Sequence, residues 1–471
     1  MSHDLTALIL AAGQGTRMKS ALPKVLHPLA GRPLLAYPVR AALAAGATRI
    51  VVVTSGRPEI EAALKREFPN TDIVTVVQDP PRGTGDAARI ALEHAVSERV
   101  LILCGDTPLL DPADLVSLLA LIERGPADVG LLTAELAEPH GYGRVLRDEH
   151  GNVREIREER DLRSDAERAV GEVNAGVYAA RREALVRAVA ELKPNNAQGE
   201  YYLTDVIALT ARSAPVAALK GKPEALLGVN DREQLRETEE LMFARIRARW
   251  NRLGASIKGD ARLDDTVLIG PDVTIEAGVR LRGNTRVGGG CNIDVGNVVT
   301  DCSIGERAVL KPYCVLTDSR VGDGAQLGPF AHLRPESEIE QDAHIGNFVE
   351  TKKTRVRAGA KANHLAYLGD GDIGEGANIG AGTIFCNYDG YQKHRTVIGK
   401  RVFIGSDSQI VAPVRIGDGA YIATGTTVTQ DVPDEALAIG RVRQENKPGY
   451  APKLKAKLDQ AAREAKAKKS G

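Results

Sequence analysis

"IKGDARLDDTVLIGPDVTIEAGVRLRGNTRVGGGCNIDVGNVV" (257–299) carries an apolar residue at every sixth position: Ile257, Leu263, Ile269, Ile275, Leu281, Val287, Ile293 and Val299. In a chain that is 43% hydrophobic, eight successive hits at one phase arise by chance on the order of once in a thousand. Neither an α-helix nor an ordinary strand repeats every six residues. A hexapeptide period is the mark of a β-helix, in which each hexad makes one flat face and three faces close a triangular coil. The apolar residue is expected to point inward. Glycines often follow it, as in "IGEGANIGAG", and are expected to supply the backbone shapes of the corners.

With occasional one-residue slips, the beat continues through Ile304, Leu310, Leu316, Val321, Leu327, Leu333, Ile339, Ile345, Val356, Ala362, Leu368, Ile373, Ile379 and Phe385. Then "FCNYDGYQKHRTVIG" (385–399) interrupts it. The next residue due is Tyr391, but the beat resumes at Ile398 and runs on through Ile404, Ile410, Ile416, Ile422 and Val428. An excursion in a solenoid is a loop on one face, often the binding face.

Working outward from the repeats, residues 230–253 are charged, with apolar residues at Leu235, Leu241, Ile246 and Trp250. That spacing predicts one long connecting helix, capped by Asn230 or Asp231. Residues 1–229 alternate apolar β-rich runs (6–12, 49–55, 72–77, 99–104) with helical stretches such as 33–45 and 84–96. Runs without alternation suit strands covered on both faces of a parallel sheet, the doubly wound α/β pattern. Residues 453–471 are charged and poor in large apolar side chains, a solvated basic tail that is a frayed helix or disordered. The expected organisation is therefore 1–229, 230–253, 254–452 and 453–471.

Formal net charge is zero, which argues against bulk nucleic-acid binding. No run approaches the ~18 apolar residues of a membrane span, and the N-terminus lacks a signal-peptide layout. Cys104, Cys291, Cys302, Cys314 and Cys386 show no CxxC spacing, so neither a zinc site nor a disulfide framework is expected. A reduced, cytoplasmic protein is the reading.

The first strand runs into "LAAGQGTRM" (10–18), followed by "LPKVLHPLAGRP" (22–33). This is not a P-loop, for no GK[ST] follows, and Met18 stands where a dinucleotide fingerprint has its third glycine. Gly13 and Gly15 still let backbone amides approach an anion, with Arg17 and Lys24 as cations, at a strand end where open α/β sheets bind ligands. A glycine turn with surface charges is the bland alternative. Asp106 in "CGDTPLL" (104–110) can equally be a turn aspartate, and Asn230 a helix cap.

"LAAGQGTRM" with the following Pro23-Lys24 resembles the signature of the sugar-nucleotidyl transferases. With the hexapeptide repeats behind it, roughly residues 5–450 resemble the bacterial bifunctional N-acetylglucosamine-1-phosphate uridylyltransferase/glucosamine-1-phosphate N-acetyltransferases. The resemblance implies a Rossmann-like α/β nucleotidyltransferase domain, a long helix and a left-handed parallel β-helix. It implies that Leu10, Ala11, Ala12 and Gly13 hold the uridine nucleotide, with Lys24 and Arg17 on the triphosphate. Gln78 would read uracil near Gly83 and Thr84, and Cys104 and Gly105 lead to Asp106. Asp106 and Asn230 would hold Mg²⁺. Gly143, Glu158 and Asn174 would contact the sugar. In the repeats, Arg334 and Lys352 would hold the phosphate of glucosamine-1-phosphate, and Tyr367 and Asn378 its sugar. His364 would be the general base, oriented by Glu350, and a backbone amide near Ala381 would stabilise the oxyanion. Ala381, Asn387, Tyr388, Ser406, Thr424 and Arg441 would bind acetyl-CoA.

Asp86 departs from the family's histidine in "GTGHA", Cys104 from a frequent tyrosine, Thr424 from alanine and Gly440 from serine. UTP, glucosamine-1-phosphate and acetyl-CoA are the implied small-molecule partners. The excursion at 389–395 is expected to lean on a neighbouring subunit of a homotrimer. A single-activity nucleotidylyltransferase with a structural or regulatory β-helix is the alternative, and a non-enzymatic scaffold of the translation-factor exchange type a third. His364, Asn387 and Tyr388 count against the second, and the glycine loop with Lys24 and Asp106 against the third.

Overall fold

The computed structural model describes residues 5–226 and 228–467. The chain divides into two compact units, Met1–Ile269 with Ala277–Thr285, and Gly270–Glu276 with Arg286–Gly471.

In the first unit, strand Leu5–Ala11 lies between Arg49–Thr54 and Arg99–Cys104, parallel to both, and Ile73–Val77 pairs parallel on the outer side of Arg49–Thr54. Alternate residues of these strands enter two cores. Ala7, Ile9, Val52 and Leu101 are buried on one face, and Leu8, Val51, Val53 and Ile102 on the other. Burial on both faces is why the runs lack alternation. Beyond Arg99–Cys104 the sheet is mixed, because Glu172–Arg181 runs antiparallel to Arg99–Cys104 and to Val129–Glu135. The segment between Val129–Glu135 and Glu172–Arg181 contains an antiparallel pair, Arg144–Arg147 with Val153–Arg157. The chain thus returns to the sheet without the crossover helix that a parallel entry requires.

The connecting helix spans Arg232–Arg252, and Asp231 caps it by accepting a hydrogen bond from the Gln234 amide. Its buried stripe is Thr238, Met242, Phe243 and Ile246. Of the residues expected to form that stripe, Leu235, Leu241 and Trp250 are only half-buried. The packed face is rotated from the one that charge and spacing suggest.

In the second unit the hexads form three parallel ladders, one for each face of a β-helix. The inward residues, such as Ile293, Leu310, Leu327 and Ile345, are fully buried in a column. The glycine that follows an inward residue does a different job from the one expected. Its φ is ordinary at Gly322 and Gly380, but a Cβ at Gly380 would lie 2.5 Å from the Ile404 carbonyl oxygen and 2.6 Å from the Ser406 amide nitrogen. These glycines permit close backbone approach of the next coil. The left-handed corners come three residues after the inward position; glycine fills some as expected, as at Gly376, Gly382 and Gly425, and other residues fill the rest, as at Asp342, Phe348, Arg401 and Asp407. The reason is geometric: at the corner a side chain points out to solvent, whereas at the glycine after an inward residue it would strike the neighbouring coil.

The excursion is internally organised. Asp389 accepts hydrogen bonds from the amides of Tyr391 and Gln392, both at 2.7 Å, and contacts His394 Nε2 at 2.7 Å. These donors hold the Asp389 carboxyl far below the ordinary range, the Gln392 amide acting most strongly. Tyr450–Ala467 is an exposed helix, one of the two states expected of the tail, a frayed helix or disorder. Residues 468–471 of that tail lie outside the described ones. All five cysteines are free. Among the described residues, no helix is long and apolar enough to cross a membrane.

Gly322→Ala places a methyl group 2.6 Å from the Gln341 amide nitrogen and should cost about 1–3 kcal/mol. The shift in urea midpoint measures it; an unchanged midpoint would show that the coils have slack.

Candidate functional site

In the first unit the chemistry gathers at the C-terminal ends of two adjacent strands. Gly105 N–H donates to the Leu10 carbonyl at 2.8 Å, and a Cβ on Gly105 would lie 2.9 Å from that of Ala11. A Cβ added to Gly13 meets nothing within 4 Å, so this residue offers its backbone to open space. Gly15 has φ +61°, and a Cβ there would lie 2.5 Å from that of Lys24. The glycine loop thereby packs against the lysine that follows it. Met18 is buried and anchors the turn, while Arg17 is exposed.

Lys24 Nζ donates to Asp106 Oδ2 and, at 3.3 Å, to Asn230 Oδ1. A carboxylate and an amide carbonyl thus converge on one cation. Asn230 is held in turn, since its N–H donates to Gln234 Oε1 at 2.8 Å and the Val229 amide donates to the Asp106 carbonyl at 2.9 Å. Gln234 was not singled out from sequence; its signal is its place four residues beyond Asn230, one helical turn away. The Cys104 thiol contacts the Gly176 carbonyl at 3.6 Å. Burial, reinforced by the Asp106 carboxylate, pushes that thiol up to about 12, so it stays protonated and is no nucleophile.

Three expected sugar contacts adjoin one another. Asn174 N–H donates to the Gly143 carbonyl at 2.9 Å, and a Cβ on Gly143 would lie 3.3 Å from Glu158 Oε1. Burial raises the Glu158 carboxyl above its usual range, with a hydrogen bond from Thr204 opposing it. Asn174 is turned inward: it donates to Tyr178 Oη at 2.8 Å and accepts from the Gly176 amide at 3.0 Å. Gln78 Nε2 donates to the Gly83 carbonyl at 3.0 Å and to Asp86 Oδ2 at 2.9 Å. Thr84 faces away, its hydroxyl accepting from the Leu203 amide at 3.1 Å.

In the second unit, stacking of coils makes neighbours of residues far apart in sequence. His364 pairs in register with Asn347, and its Nδ1 lies 2.8 Å from Asn347 Oδ1. The amide oxygen can only accept, so Nδ1 carries the proton and Nε2 keeps its lone pair. The expectation that Glu350 orients this ring is corrected. Glu350 pairs in register with Tyr367 instead, and its carboxylate binds Arg334 at 2.8 Å. Asn347 takes that role, one coil above the histidine. Lys352 meets Lys393, a residue of the excursion that sequence reading did not single out, and the Lys393 ammonium holds the Lys352 amine below its usual range. Arg334, Asp370 and Tyr367 also act on Lys393, so three cations crowd one place.

Asn378 pairs in register with Lys361. Ala381, Ser406 and Thr424 form a column at one corner. The Asp407 amide donates to the Ala381 carbonyl at 2.7 Å and the Gly425 amide to the Ser406 carbonyl at 2.9 Å. Arg441 closes the column on the Thr424 carbonyl. Asn387 is buried and donates to Asp370 Oδ2 at 2.5 Å, while Tyr388 is exposed and donates to the Gly390 carbonyl at 2.6 Å. Among the described residues, no hydrogen bond joins Asn387 or Tyr388 to that column.

Known proteins match along these lines. Residues 7–171 match the MobA-like NTP transferase domain, and residues 395–430 the bacterial transferase hexapeptide of six repeats. A protein named Bifunctional protein GlmU from Sorangium cellulosum (strain So ce56) is 61% identical over 98% of this chain and 98% of its own length. Proteins of the same name from Anaeromyxobacter sp. (strain Fw109-5) and Trichlorobacter lovleyi are each 47% identical, over 97% and 94% of this chain and 95% and 97% of their own lengths.

Two ammonium groups beside a guanidinium are stable together when an anion joins them. Lys393→Ala should weaken binding of a phosphate monoester at this cluster about tenfold and flatten its salt dependence. Titration calorimetry at two ionic strengths reads both; undiminished affinity would take Lys393 out of the site.

Proposed function

The chain belongs to the family of bifunctional GlmU proteins, uridylyltransferase and acetyltransferase in one polypeptide, and from that premise we propose how its residues divide the work. Acetyl transfer from acetyl-CoA to glucosamine-1-phosphate falls to residues 254–452. Uridylyl transfer from UTP to the N-acetylglucosamine-1-phosphate so formed falls to residues 1–229. UDP-N-acetylglucosamine and pyrophosphate are the products.

For the first reaction, Arg334, Lys352 and Lys393 hold the sugar phosphate, and Tyr367 and Asn378 hold the sugar. The amine attacks the thioester carbonyl while His364 Nε2 takes its proton. A backbone amide near Ala381 stabilises the oxyanion, whose collapse breaks the C–S bond and releases CoA, its thiolate taking up the proton that His364 received. Ala381, Asn387, Tyr388, Ser406, Thr424 and Arg441 bind the coenzyme. What supports this above all is the bond between His364 Nδ1 and Asn347 Oδ1, because it presents a basic nitrogen outward on a frame that otherwise needs none. A purely structural β-helix leaves that pair without a purpose.

For the second reaction, a phosphate oxygen of the sugar-1-phosphate attacks the α-phosphorus of UTP in line and pyrophosphate departs. No covalent intermediate is needed, so the residues supply position and charge. Leu10, Ala11, Ala12 and Gly13 present backbone to the nucleotide, Gln78 faces the base near Gly83, and Arg17 and Lys24 offset the phosphate charge. Cys104 and Gly105 set the turn that carries Asp106. Gly143, Glu158 and Asn174 form the sugar pocket. Asp106 and Asn230 already share one cation in Lys24, and this pair of hard oxygens fits Mg²⁺ with its other positions filled by phosphate and water. Bound there, Mg²⁺ would neutralise charge on the phosphates.

Self-association belongs to the same reading. Tyr313, Phe330 and Phe348 stack in an exposed ridge with ring centroids 5.4 and 5.2 Å apart. Leu365 is exposed at the same corner one coil on, and all four have positive φ. Bulky side chains are costly in that conformation, so their retention on a solvent face favours a partner there. The ridge adjoins Asn347 and His364 in sequence, which supports a site shared between copies in a homotrimer. The co-substrates are cytoplasmic metabolites, and free thiols suit that compartment.

His364→Ala should lower acetyl transfer about a hundredfold or more and spare uridylyl transfer, and Asp106→Ala should do the reverse. Assays of free CoA and of pyrophosphate on each variant read the two, and loss of both activities in a folded variant would sink the two-site reading. Deleting residues 389–395 should abolish acetyl transfer and alter the sedimentation coefficient; full acetyl transfer in the deletion would reduce the excursion to a surface loop.

A further inference from the structure

Gln78 is buried, with 5% of its surface exposed, and so is Asp86, with 4%. Both hydrogens of the Gln78 amide are committed, one to the Gly83 carbonyl at 3.0 Å and one to Asp86 Oδ2 at 2.9 Å. A carbonyl accepts only, and so does the Asp86 carboxylate, which forms an ion pair with Arg89. Turning the amide over would set Oε1 against two oxygens: Oε1 and Asp86 Oδ2 would face each other without a donor, and the Gly83 carbonyl would keep only the Ala87 amide at 3.2 Å. The NH₂ end is therefore fixed inward. Oε1 meets no donor among the described residues and is the end left for a ligand.

The mount is rigid. Asp86 lies in the first turn of helix Thr84–Leu92, where the helix dipole favours a carboxylate. The Gly85 amide donates to the Tyr201 carbonyl at 2.7 Å, and the Arg89 guanidinium lies 5.5 Å from the centroid of the Tyr201 ring. A histidine, the residue expected at position 86 by resemblance, offers a donor and an acceptor and leaves the amide free to face either way. Aspartate removes that freedom.

We infer that Asp86 is a positioning residue for nucleotide choice: it locks Gln78 as an acceptor and so selects a pyrimidine with a proton on N3 over one with a lone pair there. Uracil N3–H donates to Oε1. Cytosine N3 would oppose it, acceptor against acceptor, in a place where water is largely excluded. The inference rests on the reading of Gln78 as the base contact.

The test uses the full chain and measures pyrophosphate release from UTP and from CTP with N-acetylglucosamine-1-phosphate. Asp86→Asn keeps the volume but can meet the Gln78 amide either way round. The UTP-to-CTP ratio of kcat/KM should fall at least about tenfold, through a higher KM for UTP with kcat held within about threefold. Arg89→Gln, which leaves the bond between Gln78 and Asp86 in place, should keep the ratio. Asp86→Ser carries the same expectation should Asp86→Asn fail to fold. An unchanged ratio in the Asp86 variant, beside a collapsed ratio in Gln78→Ala, overturns the inference and leaves base reading by Gln78 standing. If Gln78→Ala changes neither the ratio nor the KM for UTP, base reading fails and the inference falls with it.

Discussion

The distance between successive coils of the β-helix governs nearly everything in the second unit. The amide after an inward residue donates to the carbonyl of the inward residue one coil on: Gly322 to Ile339 at 2.6 Å, Gly380 to Ile404 at 2.9 Å, and Gly405 to Ile422 at 2.8 Å. Each bond needs backbone against backbone, which only glycine allows at these positions. Because the bonds fix register to a single residue, side chains align in columns. Asn347 meets His364, Glu350 meets Tyr367, and Lys352 lies opposite Gly369. Much of the arrangement of this half follows from that alignment, and the excursion adds Lys393 beside Lys352.

The first unit solves the same problem by other means. Lys24 and Asp106 are 82 residues apart, and Lys24 and Asn230 are 206 apart. A parallel sheet brings the turns after two neighbouring strands side by side, and the capped helix delivers Asn230 from a third direction. Position here comes from a few anchoring bonds, such as Gly105 to Leu10 and Asn230 to Gln234. Loss of one anchor frees a single side chain, whereas loss of register in the coils shifts a whole face.

The architecture was legible because its strongest constraint repeats. Inward positions hold apolar side chains almost throughout, Thr351 between Leu333 and Leu368 being a polar one, and the period of six survives every slip of the count. The glycines were read only in part: Gly376, Gly382 and Gly425 take a positive φ at corners as expected, whereas those directly after an inward residue mark close approach, and at other corners Phe348 and Asp407 take the turn. Ring orientation at His364 was misassigned for a related reason. The general pairing of histidine with a carboxylate made Glu350 the candidate, but in this stacked coil the neighbour one full circuit away is Asn347. The same holds for Lys393, invisible as a site residue until the excursion folds back on Lys352. The packed face of the connecting helix depends on what covers it, which local spacing does not encode. By contrast, Lys24, Asp106 and Asn230 converge as the motifs implied, since each sits at the end of a regular element whose direction the pattern already sets.

Columnar alignment makes the coil a modular unit of length. His364 and its partner are separated by 17 residues, one circuit of the chain. A whole circuit spliced into the earlier turns would lengthen the prism and leave every column intact. The same splice between residues 347 and 364 would interpose a foreign layer and part His364 from Asn347. Added length is thus neutral to the His364–Asn347 contact in the early turns and breaks it between residues 347 and 364, so the repeats are not interchangeable even though they look alike.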